Sequence, residues 1–355
     1  MAQAFSSPWL LDSPYWIVLH CADPACREAI VPALKRLNVG VVHGDAALAG
    51  WRSGPDWAAE WEKFAGSVKN LAELSALRVA VLPADTLPSA QEIRLSLRPF
   101  AEIDAIAANL WLAVALAEDK LICFMQRVLD RRGKLVGFEA FARIEQEGGK
   151  IVSGGAVMQA SHALHVEYQV DRMLHREAIK SFVEFDLEGF VFINFLTGFI
   201  HRPEVYLEGL SQAVEGSGLL PRFVALDVPL PDYANNVAKI KTIATYCRSR
   251  GFAMALDDVM TPEGLGPLLA DIRPAFVKLD ARLGPLMLDG KRQSAVVEII
   301  RLAHESGASV LAEGVESEAL YQHYLNAGVD MFQGYYFGAP ERYPPLPAQA
   351  QVKGS

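Results

Sequence analysis

The chain has 355 residues, 51% hydrophobic and 21% charged: ample apolar matter for a large core and too little charge for a disordered protein. That length suits two domains rather than one. A formal net charge of −9 argues against a basic face that wraps nucleic acid, whereas a small anionic ligand stays compatible, because a bound metal ion reverses the local sign.

No basic region followed by an apolar stretch opens the chain, so no secretory signal is read and a cytoplasmic protein is expected. Residues 1–90 read as a small α/β unit. Its predicted elements are a strand at 16–20 (WIVLH), an amphipathic stretch at 25–37 and a strand at 39–42. A Gly/Pro-punctuated loop follows at 50–55, then a helix at 56–74 with Asp56 as N-cap, and a strand at 78–82. This β-α-β-α-β order predicts a small parallel or mixed sheet. No phosphate-cradling glycine loop occurs there, and the unit reads as a regulatory or dimerising module. Residues 91–117 carry apolar residues at helical spacing with a break at Pro99, and read as a connecting helix. The apolar run at 106–117 is interrupted by Asn109 and ends in Glu118 and Asp119, so no membrane span is predicted. Four scattered cysteines (Cys21, Cys26, Cys123 and Cys247) predict reduced, buried thiols.

From 118 to 345 the pattern is regular. Strands are predicted at 121–126, 137–144, 189–195, 222–228, 251–258, 276–280, 309–314 and 331–337. Helices are predicted at 156–183, 203–215, 235–250, 292–305 and 317–327. Pro203 and Pro262 stand where first-turn prolines are tolerated, and Gly216, Gly251 and Gly328 stand where helices stop. Only the first two strands lack a helix between them, with a hairpin turn at 130–133. The expectation is an α/β fold: a (βα)8 TIM-type barrel with an antiparallel first strand, preceded by the small N-terminal domain. A flexible tail is expected at 346–355.

Most of these strands end in a polar residue: Glu139, Asn194, Asp227, Asp257 with Asp258, Lys278, Glu313 and Gln333. In a barrel they emerge at one rim, where hard divalent cations and a phosphate ester would suit them. Adjacent Asp257 and Asp258 repel each other and call for a cation nearby.

The ordered segments FEAFAR, FINF, ALDD, FVKLD, LAEGVES and FQGYYFGAP resemble an EAL domain, the barrel that hydrolyses the bacterial second messenger cyclic di-GMP. The resemblance implies that Glu139, Asn194, Asp227 and Asp257 hold one divalent ion, Mg2+ or Mn2+, and that Asp257 with Asp258 helps hold a second. It further implies that Lys278 orients the attacking water and that Glu313 serves as general base or second-metal support. Gln333 would position ligand or water, Arg143 would meet a phosphate as a planar fork, and Gln126 would contact substrate. A homodimer follows from the same resemblance, and the N-terminal domain, read as a regulatory or dimerising module, is expected to offer a site for a protein partner.

Several positions depart from the family pattern. Its fourth-strand motif carries two glutamates where Asp227 and Leu230 stand here. Its Phe-Gly-Thr-Gly-Tyr-Ser-Ser loop is replaced by VMTPEGLG at 259–266. Phe141 stands at the namesake leucine, and Arg127 at a proline. Damage around otherwise present ligands commonly costs roughly 10- to 100-fold in affinity or activity. Two expectations follow: a weak or inactive metal-dependent cyclic di-GMP phosphodiesterase, or a degenerate EAL receptor or protein-interaction module without catalysis.

Overall fold

The computed structural model describes residues 14–37, 42–43, 48–54, 56–195, 203–289 and 293–342. The expected tail at 346–355 lies outside them. The chain forms two compact units, residues 1–120 with 155–166, and residues 121–154 with 167–355.

In the first unit the strands are β1 (Tyr15–His20), β2 (Val42–His43), β3 (Leu48–Arg52), β4 (Arg78–Pro83) and β5 (Arg98–Pro99). Its helices are α1 (Pro24–Leu37), α2 (Trp57–Val68), α3 (Ala90–Ser96) and α4 (Phe100–Ala117). The sheet order is β2-β3-β1-β4-β5 with every pairing antiparallel, which corrects the expected parallel or mixed sheet. The missing element is β3. It pairs with β1 and converts the expected succession into a β-α-β-β-α-β plait, in which β1 lies between two antiparallel neighbours. Asp56 does cap α2, accepting from the Ala59 amide at 3.1 Å, and the helix buries Trp57, Trp61 and Phe64. The Trp61 indole donates to Asp104 of α4 at 3.1 Å, and its ring lies 5.2 Å from Phe100. Asn109 does not break α4, because its amide donates to the Ala105 carbonyl one turn back at 2.7 Å. By length and composition alone α4 is long and apolar enough to cross a membrane, a test that a core helix also meets, and Phe100, Ile103, Ile106, Leu112, Ala113, Ala115 and Leu116 are buried in the fold.

The second unit is built on β6 (Leu121–Asp130), β7 (Leu135–Glu145), β8 (Ile151–Val152), β9 (Phe190–Asn194), β10 (Val224–Pro229), β11 (Ala253–Val259), β12 (Phe276–Leu279), β13 (Ser309–Ala312) and β14 (Met331–Phe332). Eight of them close as β6-β7-β9-β10-β11-β12-β13-β14, with β14 pairing back to β6; β8 only extends β7. Strand β6 is antiparallel to both neighbours and the remaining barrel pairs are parallel, as the sequence pattern predicts. The turn between β6 and β7 is held by the Asp130 carboxylate, which accepts from the Arg132 and Lys134 amides, both at 2.8 Å.

The helices after β8 are α5 (Gly154–Leu164), α6 (Glu167–Glu184), α7 (Pro203–Ser217), α8 (Leu230–Arg250), α9 (Leu265–Ile272), α10 (Leu283–Leu288), α11 (Gln293–Glu305) and α12 (Glu318–Ala327). Three expectations shift. The helix expected at 156–183 is two, broken where His165 takes φ 55°. Gly216 lies inside α7 rather than past its end, and Pro262 stands ahead of α9 rather than in its first turn. Gly251 and Gly328 do terminate helices in the left-handed conformation.

The barrel interior has an apolar floor of Val128, Phe192, Ala225, Ala255, Phe276, Leu311 and Met331. Gly137 stands opposite Val128 in the β6–β7 register. Successive strand residues alternate faces, so the residue two further along each strand returns to the interior one layer higher.

Candidate functional site

That next layer consists of Glu139 above Gly137, Asn194 above Phe192, Asp227 above Ala225 and Asp257 above Ala255. Lys278 stands above Phe276, Glu313 above Leu311 and Gln333 above Met331. On β6, which runs the other way, Gln126 stands two residues before Val128. One polar residue per strand thus forms the layer, and all eight were singled out from the sequence.

Lys278 is its centre. The ammonium is fully buried and lies 2.6 Å from Glu313 Oε1, 2.7 Å from Asp227 Oδ2, and 3.3 Å from both Asp257 Oδ2 and Glu139 Oε2. The Asn194 amide donates to Glu139 Oε1 at 3.1 Å. Burial opposes the lysine's charge, but the surrounding carboxylates outweigh it and hold its proton well above the ordinary range. Burial likewise pushes the Asp227 carboxyl up to about 8 against the pull of Lys278, and raises Glu313 well above the usual carboxylate value. Four carboxylates around one ammonium leave an excess of negative charge in a dry interior, which must be offset by protons or by a further cation.

Among the described residues no group of three His, Cys, Asp or Glu side chains stands ready-made around a metal position. The donor set is nevertheless all oxygen, as hard divalent cations require. Asp227 Oδ1 is buried without a hydrogen-bond partner, a lone pair free to accept an ion. The residues present fit a divalent cation.

Asp258 is not among the lysine's partners. It takes φ 58° where the β11–β12 register shifts, and its amide donates to Asp257 Oδ1 at 2.7 Å. Burial, Asp257 and Asp280 together raise its proton affinity. Asp280 was not singled out from the sequence. It is a buried carboxylate two residues past Lys278, gripped by the Arg282 backbone amide and guanidinium, and the signal was the last residue of FVKLD.

Gln126 and Gln333 form a pair beside the acids: Gln333 Nε2 donates to Gln126 Oε1 at 3.0 Å, and Gln126 Nε2 donates to the Gly338 carbonyl at 2.8 Å. Gln333 Oε1 is buried and unpartnered. Arg143 shares the interior face of β7 with Glu139 but stands two layers above it. Its guanidinium lies over the rings of Phe124 and Phe141, at 5.4 and 5.8 Å, and donates to the Ala142 carbonyl at 2.8 Å. The departures from the family pattern also have positions. Leu230 is half-buried at the first residue of α8, and the replaced loop turns through Pro262, whose carbonyl accepts from Leu265, into α9 at a left-handed Gly264.

An eight-stranded barrel with an inverted first strand and an acid-lysine ring at its strand ends defines the architecture of an EAL barrel. The chain belongs to the EAL domain family, which matches residues 110–340. It is 26% identical over 211 residues to the uncharacterized EAL-domain containing protein YkuI of Bacillus subtilis, covering 58% of this chain and 51% of that one. The structure of that protein in complex with c-di-GMP and calcium superposes with a TM-score of 0.54 at 23% identity, over 63% of this chain and 55% of the other. A standalone EAL protein from Vibrio cholerae O395, solved with c-di-GMP bound, superposes with the same TM-score at 27% identity, over 62% and 92% of the two chains. This chain spans about half or less of the length of the curated relatives it matches.

Proposed function

We propose that the barrel binds cyclic di-GMP above the acid-lysine ring and hydrolyses it weakly or not at all, using Mg2+ or Mn2+. The observation that carries this reading is the interior layer with one polar residue on each of eight strands, in a chain of the EAL family. Glu139, Asn194, Asp227 and Asp257 would hold one ion, with Asp258 contributing to a second. Such ions, when bound, polarise a phosphodiester and supply a nucleophilic water at neutral pH.

The remaining roles belong to the chain. Glu313, whose burial raises its proton affinity well above the usual carboxylate value, is suited to take a proton from the attacking water. Lys278, 2.6 Å from it, fixes the Glu313 carboxylate. Arg143 offers a planar fork to a ligand phosphate. The unpartnered Gln333 Oε1 accepts from a ligand N–H or a water, with Gln126 holding the amide in place.

A receptor without turnover is the second reading. It is favoured by Lys278, which neutralises part of the ring without any ion, and by the shorter reach of Asp227 where the family has glutamate. Either form is proposed as a cytoplasmic homodimer whose N-terminal unit is open to a protein partner. The deciding experiment incubates pure protein with cyclic di-GMP and Mg2+, Mn2+ or EDTA, measuring binding by calorimetry and linear dinucleotide by chromatography. Product supports the enzyme, binding without product supports the receptor, and neither would reject both.

A further inference from the structure

Behind Asn194, outside the acid-lysine ring, lies a second buried polar cluster to which no role has been given. Asp171 and His175 stand one turn apart on α6, and Tyr206 reaches them from α7; all three are buried. The Tyr206 hydroxyl donates to Asp171 Oδ2 and lies 3.3 Å from His175 Nδ1. His175 Nε2 lies 2.9 Å from the backbone carbonyl of Asn194 and 3.6 Å from Asp171 Oδ1. A carbonyl only accepts, so Nε2 carries a hydrogen and donates to it. The imidazole stacks on Phe195 at 5.9 Å and 9°, and Tyr206 meets both rings edge-on, at 5.8 Å from His175 and 5.5 Å from Phe195. The ring is thereby held in position and in plane as well as by its hydrogen bonds.

Two physical points give this cluster a purpose beyond packing. An apolar side chain at 175 would fill the space, whereas burying an imidazole, a phenol and a carboxylate is costly unless each is bonded. Further, the acceptor is the main chain of the last residue of β9, whose side chain binds Glu139. That carbonyl belongs to the peptide leaving the Asn194 Cα, whose other edge, the Phe195 N–H, donates to the Asp227 carbonyl at 2.9 Å; with His175 on the carbonyl both edges are held, and with them the Cα that carries the amide.

We propose that His175 is a positioning residue for Asn194: held by Tyr206 and Asp171, it anchors the Asn194 carbonyl and so sets the aim of the Asn194 side chain toward Glu139 and a divalent ion. The role of the ion rests on the proposed function, whereas the anchoring itself does not. Groups that orient a metal ligand without touching the metal commonly change affinity 10- to 100-fold when removed.

The test compares His175→Leu, which keeps bulk and loses the donor, with His175→Gln, whose amide restores a donor near the Nε2 position. Mn2+ affinity is read by paramagnetic resonance, and backbone exchange of the segment 191–195 by hydrogen–deuterium mass spectrometry in metal-free protein. Expected are Mn2+ binding weakened roughly 10-fold or more in the Leu variant and restored to within roughly threefold of wild type in the Gln variant. Faster exchange confined to 191–195 and its pairing partners is expected in the Leu variant alone. Should the Leu variant not fold, Tyr206→Phe keeps the ring stack and removes only the hydroxyl; it is expected to weaken Mn2+ in the same direction. Leu and Gln variants that bind Mn2+ alike, or a folded Leu variant with wild-type binding and exchange, would overturn the proposal. A wild type that binds no Mn2+ would instead reject the metal reading, and the exchange comparison between Leu and Gln would then decide the anchoring.

Discussion

Replacing Lys278 with methionine is the sharpest perturbation the barrel offers. The side chain has similar length and remains apolar, so the loss is essentially the ammonium that lies 2.6–3.3 Å from four carboxylates. Removing one partner of a buried charge cluster costs about 3–5 kcal/mol, because the remaining charges stay buried without compensation. For a domain of this size each kcal/mol moves the midpoint by about 2–4 °C, so a fall of about 6–20 °C is expected in EDTA. The carboxyls can relieve the loss by protonation. Burial already holds the proton affinities of Asp227, at about 8, and of Glu313 above the ordinary carboxylate values, and removing the lysine raises both further. A raised folded pKa stabilises below the unfolded value and is lost as pH rises through the folded one, so the penalty should be small near about pH 5 and large near about pH 8.5. A divalent ion at about 100 times its dissociation constant should return about 2.7 kcal/mol. Differential scanning fluorimetry across pH, with EDTA and with Mn2+, reads all three effects. A variant that melts within about 2 °C of wild type in EDTA near pH 8.5 would refute the account of Lys278 as the charge that holds the ring together.

Three further outcomes are expected. Gly334→Ala places a methyl 2.1–2.6 Å from the Val315 backbone at φ 157°, so it should destabilise by at least about 1–3 kcal/mol in a thermal melt and weaken cyclic di-GMP binding by displacing Gln333. Arg143→Ala should weaken cyclic di-GMP by about 1.5–3 kcal/mol, roughly 10- to 150-fold in calorimetry, if its fork meets a phosphate; unchanged affinity would leave Arg143 as cover for Phe124 and Phe141. Leu230→Glu combined with the family's loop at 259–266 should raise turnover at saturating Mn2+, whereas Asp227→Glu alone should mainly change Mn2+ affinity; a repaired variant that stays inert points to the receptor.

The barrel and its polar layer were legible because strand ends such as FVFIN, VALD, FVKL and SVLAE combine β-branched and aromatic runs with one polar residue in the interior phase. A stricter form of that signal is an apolar floor residue followed two positions later by the polar one, as in Phe192 and Asn194 or Phe276 and Lys278. The N-terminal sheet was not legible in the same way. Strand β3 contains Gly50 and Trp51 inside what reads as a turn-rich loop, and its pairing with β1 on one side and β2 on the other makes it a strand. Gly50 also suits that pairing, since a Cβ there would lie 3.1 Å from the Ile17 carbonyl. The break at His165 carries neither glycine nor proline, so nothing local announced it. The Asp171–His175 pair was hidden for another reason: at helical spacing on a buried face, two polar residues look like interruptions until Tyr206 and Asn194, distant in sequence, are brought beside them.

The closure of the barrel has a consequence for how the protein is made. Strand β6 is the first barrel strand to leave the ribosome and β14 the last, yet they pair with each other, Asp130 opposite Met331. Until about 200 intervening residues have been synthesised, β6 has only β7 beside it and its other edge is open to wrong partners. The contacts that arrive with β14 and the segment after it include the Gln126–Gln333 bond, the Met125–Glu341 backbone pair and the ion pair between Arg342 and Glu145. A nascent chain therefore carries most of its acidic residues well before it can assemble the full ring, and the mouth of the barrel comes into being only with the final strand.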